Sequence, residues 1–319
     1  MKILGVVGGT GIDQLEGLQI VDNHAVETPY GDPSRVIQEG RLGSTRLFFL
    51  QRHGSPRAIP PHLINYRANV WALRCQGVTD IVAVNAVGGI SERMRPGRLV
   101  IPDQLIDYTW GREHTVDIGD NDTLMHVDFT EPYDRELRQR LLDIAAEEGI
   151  AHATADVHGI MQGPRVETAA EIRRMAGDGC DLVGMTGMPE AALAREMGLA
   201  YASVCMVVNA AAGLDDKPLT HYEFATLDIL RGNFGLIVGA ILLAAGAGGA
   251  GGGDAVLIAG ASAGGAGGSV SVTSGATTAA GASSGDVSVA SAATSASASD
   301  SGAVSVGTGA SSLSGSGLL

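Results

Sequence analysis

An α/β fold, with a central sheet flanked by helices, is what the pattern of this chain predicts. Two observations carry the prediction. Short runs rich in Val, Ile and Leu alternate with longer segments of helical spacing over residues 1–245, and glycine-rich loops come after several of those runs. A third observation, an abrupt change of composition near residue 245, sets this body apart from the C-terminal 246–319 segment.

Ile3–Val7, Leu47–Leu50, Ile81–Val84, Leu99–Ile101 and Ala202–Val208 are nearly continuous apolar runs, as buried strands require. His62–Cys75, Asp134–Glu148, Ala169–Met175 and Pro189–Met197 have helical spacing, with Pro or Thr near several starts. Gly77, Gly149 and Gly198 come just after three of these segments and read as helix stops. The alternation predicts a mostly parallel sheet with helices on both faces, and a single domain over 1–245.

Residues 246–319 are almost entirely Gly, Ala, Ser, Thr and Val, without an aromatic residue. Such a segment buries too little apolar area to offset the entropy of ordering its backbone, so a disordered tail is expected. A glycine-rich β-repeat is the alternative, although no fixed period recurs. The uncharged stretch Asn233–Gly253 contains FGLIVGAILLAA, whose strongly apolar part is about half of the roughly 20 residues a membrane span needs. A last helix packed on the body is expected there. A membrane span is the competing reading, because the polar face of a surface helix is missing.

The 319 residues hold 21 Lys and Arg against 35 Asp and Glu, a net charge of −14. That balance argues against a general nucleic-acid binder but not against a small anionic substrate, which needs only a few well-placed donors. Cys75, Cys180 and Cys205 lie far apart, so neither a disulfide framework nor a zinc ribbon is indicated, and the His spacing gives no metal-chelating cluster. The start, MKILGVVGGTG, lacks the apolar stretch of a signal peptide, and a cytoplasmic protein is expected.

Three loops point to anion binding. Gly8-Gly9-Thr10-Gly11 leaves a short strand, and glycines there let backbone N–H groups approach an anion while Thr10 adds a hydroxyl. It is a poor match to the GxGxxG dinucleotide fingerprint. Gln51-Arg52-His53-Gly54 places a guanidinium fork and an imidazole at a strand end, where α/β proteins bind ligands. Val84-Asn85-Ala86-Val87-Gly88-Gly89 repeats the pattern of strand, small residues and glycines.

Together with HLINYRANVWALRCQGV, GPRVETAAEI, GMTGMPEAALARE and YASVCMVVN, these motifs resemble the trimeric purine nucleoside phosphorylases, and most closely their methylthioadenosine-phosphorylase branch, over about residues 3–230. The resemblance implies a single nucleoside-phosphorylase-like domain with a mixed central sheet, a homotrimer, and cleavage of a purine nucleoside by inorganic phosphate without a cofactor or metal. It places phosphate on Thr10, Arg52, His53, the backbone N–H of Ala86, and Thr186, with Met185 beside the ribose. It makes His126 a residue that reaches the neighbouring subunit's site. The 246–319 tail has no counterpart in the resemblance.

Two positions depart from the methylthioadenosine pattern, which has acids where this chain carries Asn209 and Ala211. An amide donates a hydrogen bond to purine N7 but is no comparable acid. Glu167 stands where that branch has a small hydroxyl residue. Its carboxylate suits N1–H of a 6-oxopurine; a first-turn helix acid is the plainer reading of the same residue. Leu227 aligns with the position that binds the 5′ group and suits a methylthio substituent, although a shifted alignment brings in His221. The resulting expectation is a phosphorylase of S-methyl-5′-thioinosine, with Asn209, Glu167 and His53 as catalytic residues. The alternatives are cleavage of inosine or guanosine, cleavage of methylthioadenosine, a nicotinamide-dependent oxidoreductase built on the first glycine loop, and a nucleoside-binding protein without turnover.

Overall fold

The computed structural model describes residues 2–9, 19–42, 45–56, 58–119, 126–147, 150, 152–154 and 156–215. Thr10, Leu227, His221, the apolar 233–253 segment, the boundary expected at 245 and the 246–319 tail lie outside the described residues. Among the described residues no helix is long and apolar enough to cross a membrane.

The elements run β1 (Leu4–Gly8), β2 (Gln19–His24), β3 (Ile37–Leu42), β4 (Thr45–Gln51), α1 (Tyr66–Cys75), β5 (Asp80–Gly89), β6 (Leu99–Ile101), β7 (Gln104–Asp107), α2 (Arg135–Glu147), β8 (His152–Thr154), β9 (Val157–Ile160), α3 (Ala169–Gly177), β10 (Leu182–Gly184), α4 (Glu190–Glu196) and β11 (Ala200–Ala210). One sheet takes the order β2-β3-β4-β1-β5-β10-β9-β7, and β11 pairs with β5 and carries β6 and β8 beyond it. The centre, β4-β1-β5-β11, is parallel. The sheet is mixed, as the resemblance implies, with most pairings parallel: β2, β3 and β4 form an antiparallel meander, and β10 and β6 run against β5 and β11.

Strand alternation puts helices on both faces. Leu47 and Phe49 of β4 share a core with Leu137, Leu141 and Ile144 of α2. Phe48 and Leu50 point the other way, into a core with Val70 and Leu73 of α1 and Leu193 of α4. Helix α1 begins at Tyr66 rather than His62, because a 3₁₀ turn over Pro61–Leu63 comes first and Asn65 is the cap, accepting from the Ala68 N–H at 3.1 Å. Gly77 and Gly198 come after α1 and α4 with φ of 80° and 71°, the left-handed backbone that only glycine adopts cheaply.

Two buried polar groups stand out within this frame. Arg52, 1% exposed, donates from Nε and Nη2 to Glu190, 0% exposed, at 2.8 Å each. Its Nη2 also reaches the Val7 carbonyl at 3.4 Å and its Nη1 the Val84 carbonyl at 3.2 Å, while its backbone N–H bonds the Gly8 carbonyl at 2.8 Å. Tyr201 donates to the same Glu190 carboxylate at 3.0 Å. One ion pair thus ties together β4, β1, β5, α4 and β11. His158, on β9, is fully buried; burial and then the Arg52 charge push its pKa from 6.5 down to about 4.

Removing one partner of a buried ion pair strands the other charge, at a cost of about 3–5 kcal/mol. Glu190→Ala is therefore predicted to lower stability by about that amount in a urea titration, and a loss under about 1 kcal/mol contradicts the brace. For His158, the unfolded chain takes up a proton near pH 6.5 that the folded chain refuses until about pH 4. The fold then loses stability as pH falls through that interval, by roughly 3 kcal/mol for one such group. His158→Gln should flatten this acid limb of the stability profile; an unchanged slope means the proton is taken up elsewhere.

Candidate active site

The site begins as a gap in the pairing of β5. On one edge β5 pairs with β1 over Asp80–Ala83 and with β10 at Gly88 and Gly89. Val84–Val87 have neither partner on that edge, so an opening lies beyond the ends of β1 and β4, where ligands collect in open α/β sheets. Gly9 lines the strand exit, and a Cβ built on it meets no atom within 4 Å. Arg52 closes the floor through the Val7 and Val84 carbonyls. Residues 84 and 86 share a side of the strand by its period of two, so the Ala86 N–H is turned to the same gap as the Val84 carbonyl.

Arg52 is placed differently from a free phosphate fork. Four of its five N–H groups go to Glu190, Val7 and Val84, which leaves one, on Nη1, for a ligand. His53 holds Nδ1 at 2.9 Å from the Ile59 carbonyl. A carbonyl only accepts, so Nδ1 carries the proton and a neutral ring presents a lone pair at Nε2. Burial, helped by the Arg52 charge, lowers the His53 pKa and keeps the ring neutral.

Thr186, buried just after β10, donates its hydroxyl to Asn85 Oδ1 at 2.8 Å. This bond brings the Met185-Thr186 segment to the glycine loop of β5. Met185 Sδ would lie only 2.6 Å from a Cβ on Gly163, whose φ is 60°. A glycine is required there, and it seats the loop carrying Glu167 against Met185.

Glu167 is 9% exposed, and burial raises its pKa. It is not the first-turn acid of α3. That task falls to Glu171, which completes a capping box with Thr168 and holds Arg165 at 2.7 Å. Glu167 has no ion pair among the described residues. Asn209 lies at the end of β11 beside a register shift, with Nδ2 donating to the Ala210 carbonyl at 2.6 Å and its second N–H left over. Its Nδ2 stands 3.4 Å from a Cβ placed on Gly88. Ala211 is buried in one core with Ile172 and Met175 of α3, and Gly213 abuts Ala169 so closely that a Cβ on it would lie 2.4 Å from the Ala169 Cβ. The ends of β5 and β11 and the start of α3 thus meet, with Asn209 and Glu167 on that junction.

His126 is exposed, on a surface loop. Among the described residues, no three His, Cys, Asp or Glu side chains are placed to hold a metal ion. A cavity of about 310 Å³ lies between Tyr30, His62, Tyr66 and Arg112 and includes none of the glycine-loop residues. Sequence alone gives Glu190 and Ser203 no role and marks Asn85 only as part of the third glycine loop. An amide inside the apolar run of β5 was the available signal for Asn85, since a buried amide must find partners. Nothing in sequence distinguishes Glu190 from an ordinary acid at a helix start.

Comparison with known proteins identifies the family. Residues 3–238 match the family model described as the phosphorylase superfamily. The chain is similar to a probable S-methyl-5′-thioinosine phosphorylase of Pseudomonas syringae pv. tomato, 50% identical over 70% of this chain and 91% of that protein. It is also similar to the 6-oxopurine nucleoside phosphorylase of Pyrococcus furiosus, 43% identical over 71% of this chain and 86% of that one. Among solved structures, a methylthioadenosine phosphorylase from an antarctic soil metagenomic library superposes with a TM-score of 0.71 at 33% identity, covering 76% of this chain and 86% of its own. The glycine loops, the sheet that presents them and the matched span lead to one conclusion: the chain belongs to the phosphorylase superfamily.

Proposed function

We propose that this protein cleaves S-methyl-5′-thioinosine with inorganic phosphate, giving hypoxanthine and 5-methylthioribose 1-phosphate. In this reading phosphate occupies the gap in β5, held by the remaining Arg52 N–H, the Ala86 N–H, His53 and Thr186, with Thr10 closing the first glycine loop. The ribose lies over it beside Met185. As the glycosidic bond stretches, positive charge grows on the sugar and negative charge on the purine. Phosphate beneath the ring stabilises the first and then attacks the anomeric carbon, while the second N–H of Asn209 stabilises charge at N7.

The observation that carries the choice of base is Glu167, a buried carboxylate without an ion pair among the described residues, whose pKa burial raises. It accepts from N1–H of a 6-oxopurine. Adenine presents a lone pair at N1, and two facing acceptors cost roughly 1–3 kcal/mol, about 10- to 100-fold in discrimination. The methylthio group rests on the 50% identical relative and on Leu227. Inosine or guanosine as substrate is the second reading, favoured by the 6-oxopurine relatives. A dinucleotide oxidoreductase is displaced, because the matched family takes in the first glycine loop. The same reading takes the protein as a cytoplasmic homotrimer with no cofactor, in which His126 reaches the neighbouring site.

Phosphate-dependent base release from methylthioinosine, inosine and methylthioadenosine, compared side by side, tests the proposal. Methylthioinosine should be preferred, with methylthioadenosine at least about tenfold slower in kcat/KM. Asn209→Asp should shift activity toward the aminopurine. Preference for methylthioadenosine in the wild type overturns the base assignment.

A further inference from the structure

A second buried arginine lies beside the site and takes no part in the chemistry described so far. Arg112 is 8% exposed and forms no salt bridge among the described residues. All five of its N–H groups go to neutral oxygens. Nε donates to Gln162 Oε1 at 3.2 Å, and Nη1 donates to the Tyr66 hydroxyl at 3.2 Å and to the Met188 carbonyl. Nη2 donates to the carbonyls of Met161 at 3.3 Å and Gln162 at 2.8 Å. Chemistry fixes these roles, since a guanidinium only donates and a carbonyl only accepts. The Gln162 side chain must present its oxygen, because the Trp110 N–H faces it as well at 3.1 Å. Tyr66 accepts from Arg112 and gives its own proton to the Pro61 carbonyl at 2.9 Å. Burial without a carboxylate is costly for a cation, and it lowers the Arg112 pKa. The compensation is geometric: only a branched planar fork spans three carbonyls at once.

Those carbonyls belong to the two segments that present the nucleoside contacts. Met161 and Gln162 lead into Gly163 and the loop that ends in Glu167, and Met188 closes the segment that starts with Met185 and Thr186. The segments meet at Gly163, where a Cβ would lie 2.6 Å from Met185 Sδ and 3.3 Å from Pro61 Cγ. At its other end the loop is anchored by the capping box of Thr168 and Glu171. Residues 163–167 thus run between two fixed points, of which the Arg112 fork is one. We propose that Arg112 is a positioning residue for the base. By joining the Gln162 and Met188 backbones it sets where the Glu167 carboxylate stands relative to Met185, and with it the selectivity for the purine. This inference deepens the proposed function and rests on its placement of N1–H on Glu167. The anion contacts are held separately: none of the five acceptors belongs to Arg52, His53 or Ala86, and Thr186 has its own tie to Asn85 at 2.8 Å.

Calorimetric titration with hypoxanthine and with adenine, each in the presence of inorganic phosphate, reads this selectivity without turnover, and titration with phosphate alone reads the anion site. The wild type should bind hypoxanthine at least about tenfold more tightly than adenine. Arg112→Met fills the volume without donors, and Arg112→Lys keeps the charge on a single point. Either should narrow the ratio to about threefold or less while phosphate affinity stays within about twofold. Circular dichroism establishes which variants are folded, and one folded variant suffices. An unchanged ratio in a folded variant, or a phosphate affinity that falls along with the ratio, overturns this inference alone. So does failure of both variants to fold, which makes the fork a device of stability only. A wild type that binds the two bases equally, or binds neither, contradicts the base assignment of the proposed function and overturns this inference with it.

Discussion

A charged pair sealed from water governs this fold. Arg52 and Glu190 are almost completely buried, and such a pair is tolerable only if its geometry is good and its remaining donors and acceptors are satisfied. Backbone and side chains from five elements meet these conditions for all but one Nη1 N–H of Arg52: the Val7 and Val84 carbonyls, the Tyr201 hydroxyl, and the bidentate contact itself. Because the guanidinium lies between the end of β1 and β5, the two strands part after Val7 and Ala83, and β5 finds no strand on that edge until β10 at Gly88. The ion pair and the site are one piece of construction.

From there the chemistry divides along the strand. Toward the N-terminal end of the opening lie groups suited to an anion: Gly9, the Ala86 N–H, the last Arg52 donor, His53 and Thr186. Toward β11 and α3 lie groups suited to a base edge, Asn209 and Glu167. Small residues hold the two halves together. Gly163 admits Met185, and Gly213 admits Ala169, contacts that any side chain on these glycines would block. Capping of α3 by Thr168 and Glu171 frees Glu167 from helix duties, so a carboxylate that costs energy to bury stands ready to be compensated by a ligand donor.

Much of this was legible in the chain. The central strands are near-continuous apolar runs, and β1, β4, β5 and β11 are found where those runs lie, each extending a residue or more beyond its run. The edges were not legible. β2 reads QIVDNH and is exposed along most of its length, so no apolar period marks it, and the antiparallel meander that makes the sheet mixed leaves no trace in the pattern. The α1 start was misplaced because His62 fits the helical period while the prolines before it impose a 3₁₀ turn. In the site, the motif residues Arg52, His53, Ala86, Thr186, Asn209 and Glu167 could be named from sequence. That Arg52 commits most of its donors to Glu190 and two carbonyls could not, since the pair is 138 residues apart and only the folded sheet brings them together. Thr10 and Leu227 lie outside the described residues.

The central claim is that phosphate binds in the β5 gap and a 6-oxopurine binds beside it, at the junction of β5, β11 and α3. A crystal structure with phosphate and hypoxanthine bound tests it most directly. The account predicts phosphate oxygens within hydrogen-bond distance of the Ala86 N–H, Arg52 Nη1 and Thr186 Oγ1, and hypoxanthine with N1 on the Glu167 carboxylate and N7 on Asn209. Phosphate bound away from the β5 gap, or a purine whose N1 faces away from Glu167, contradicts it.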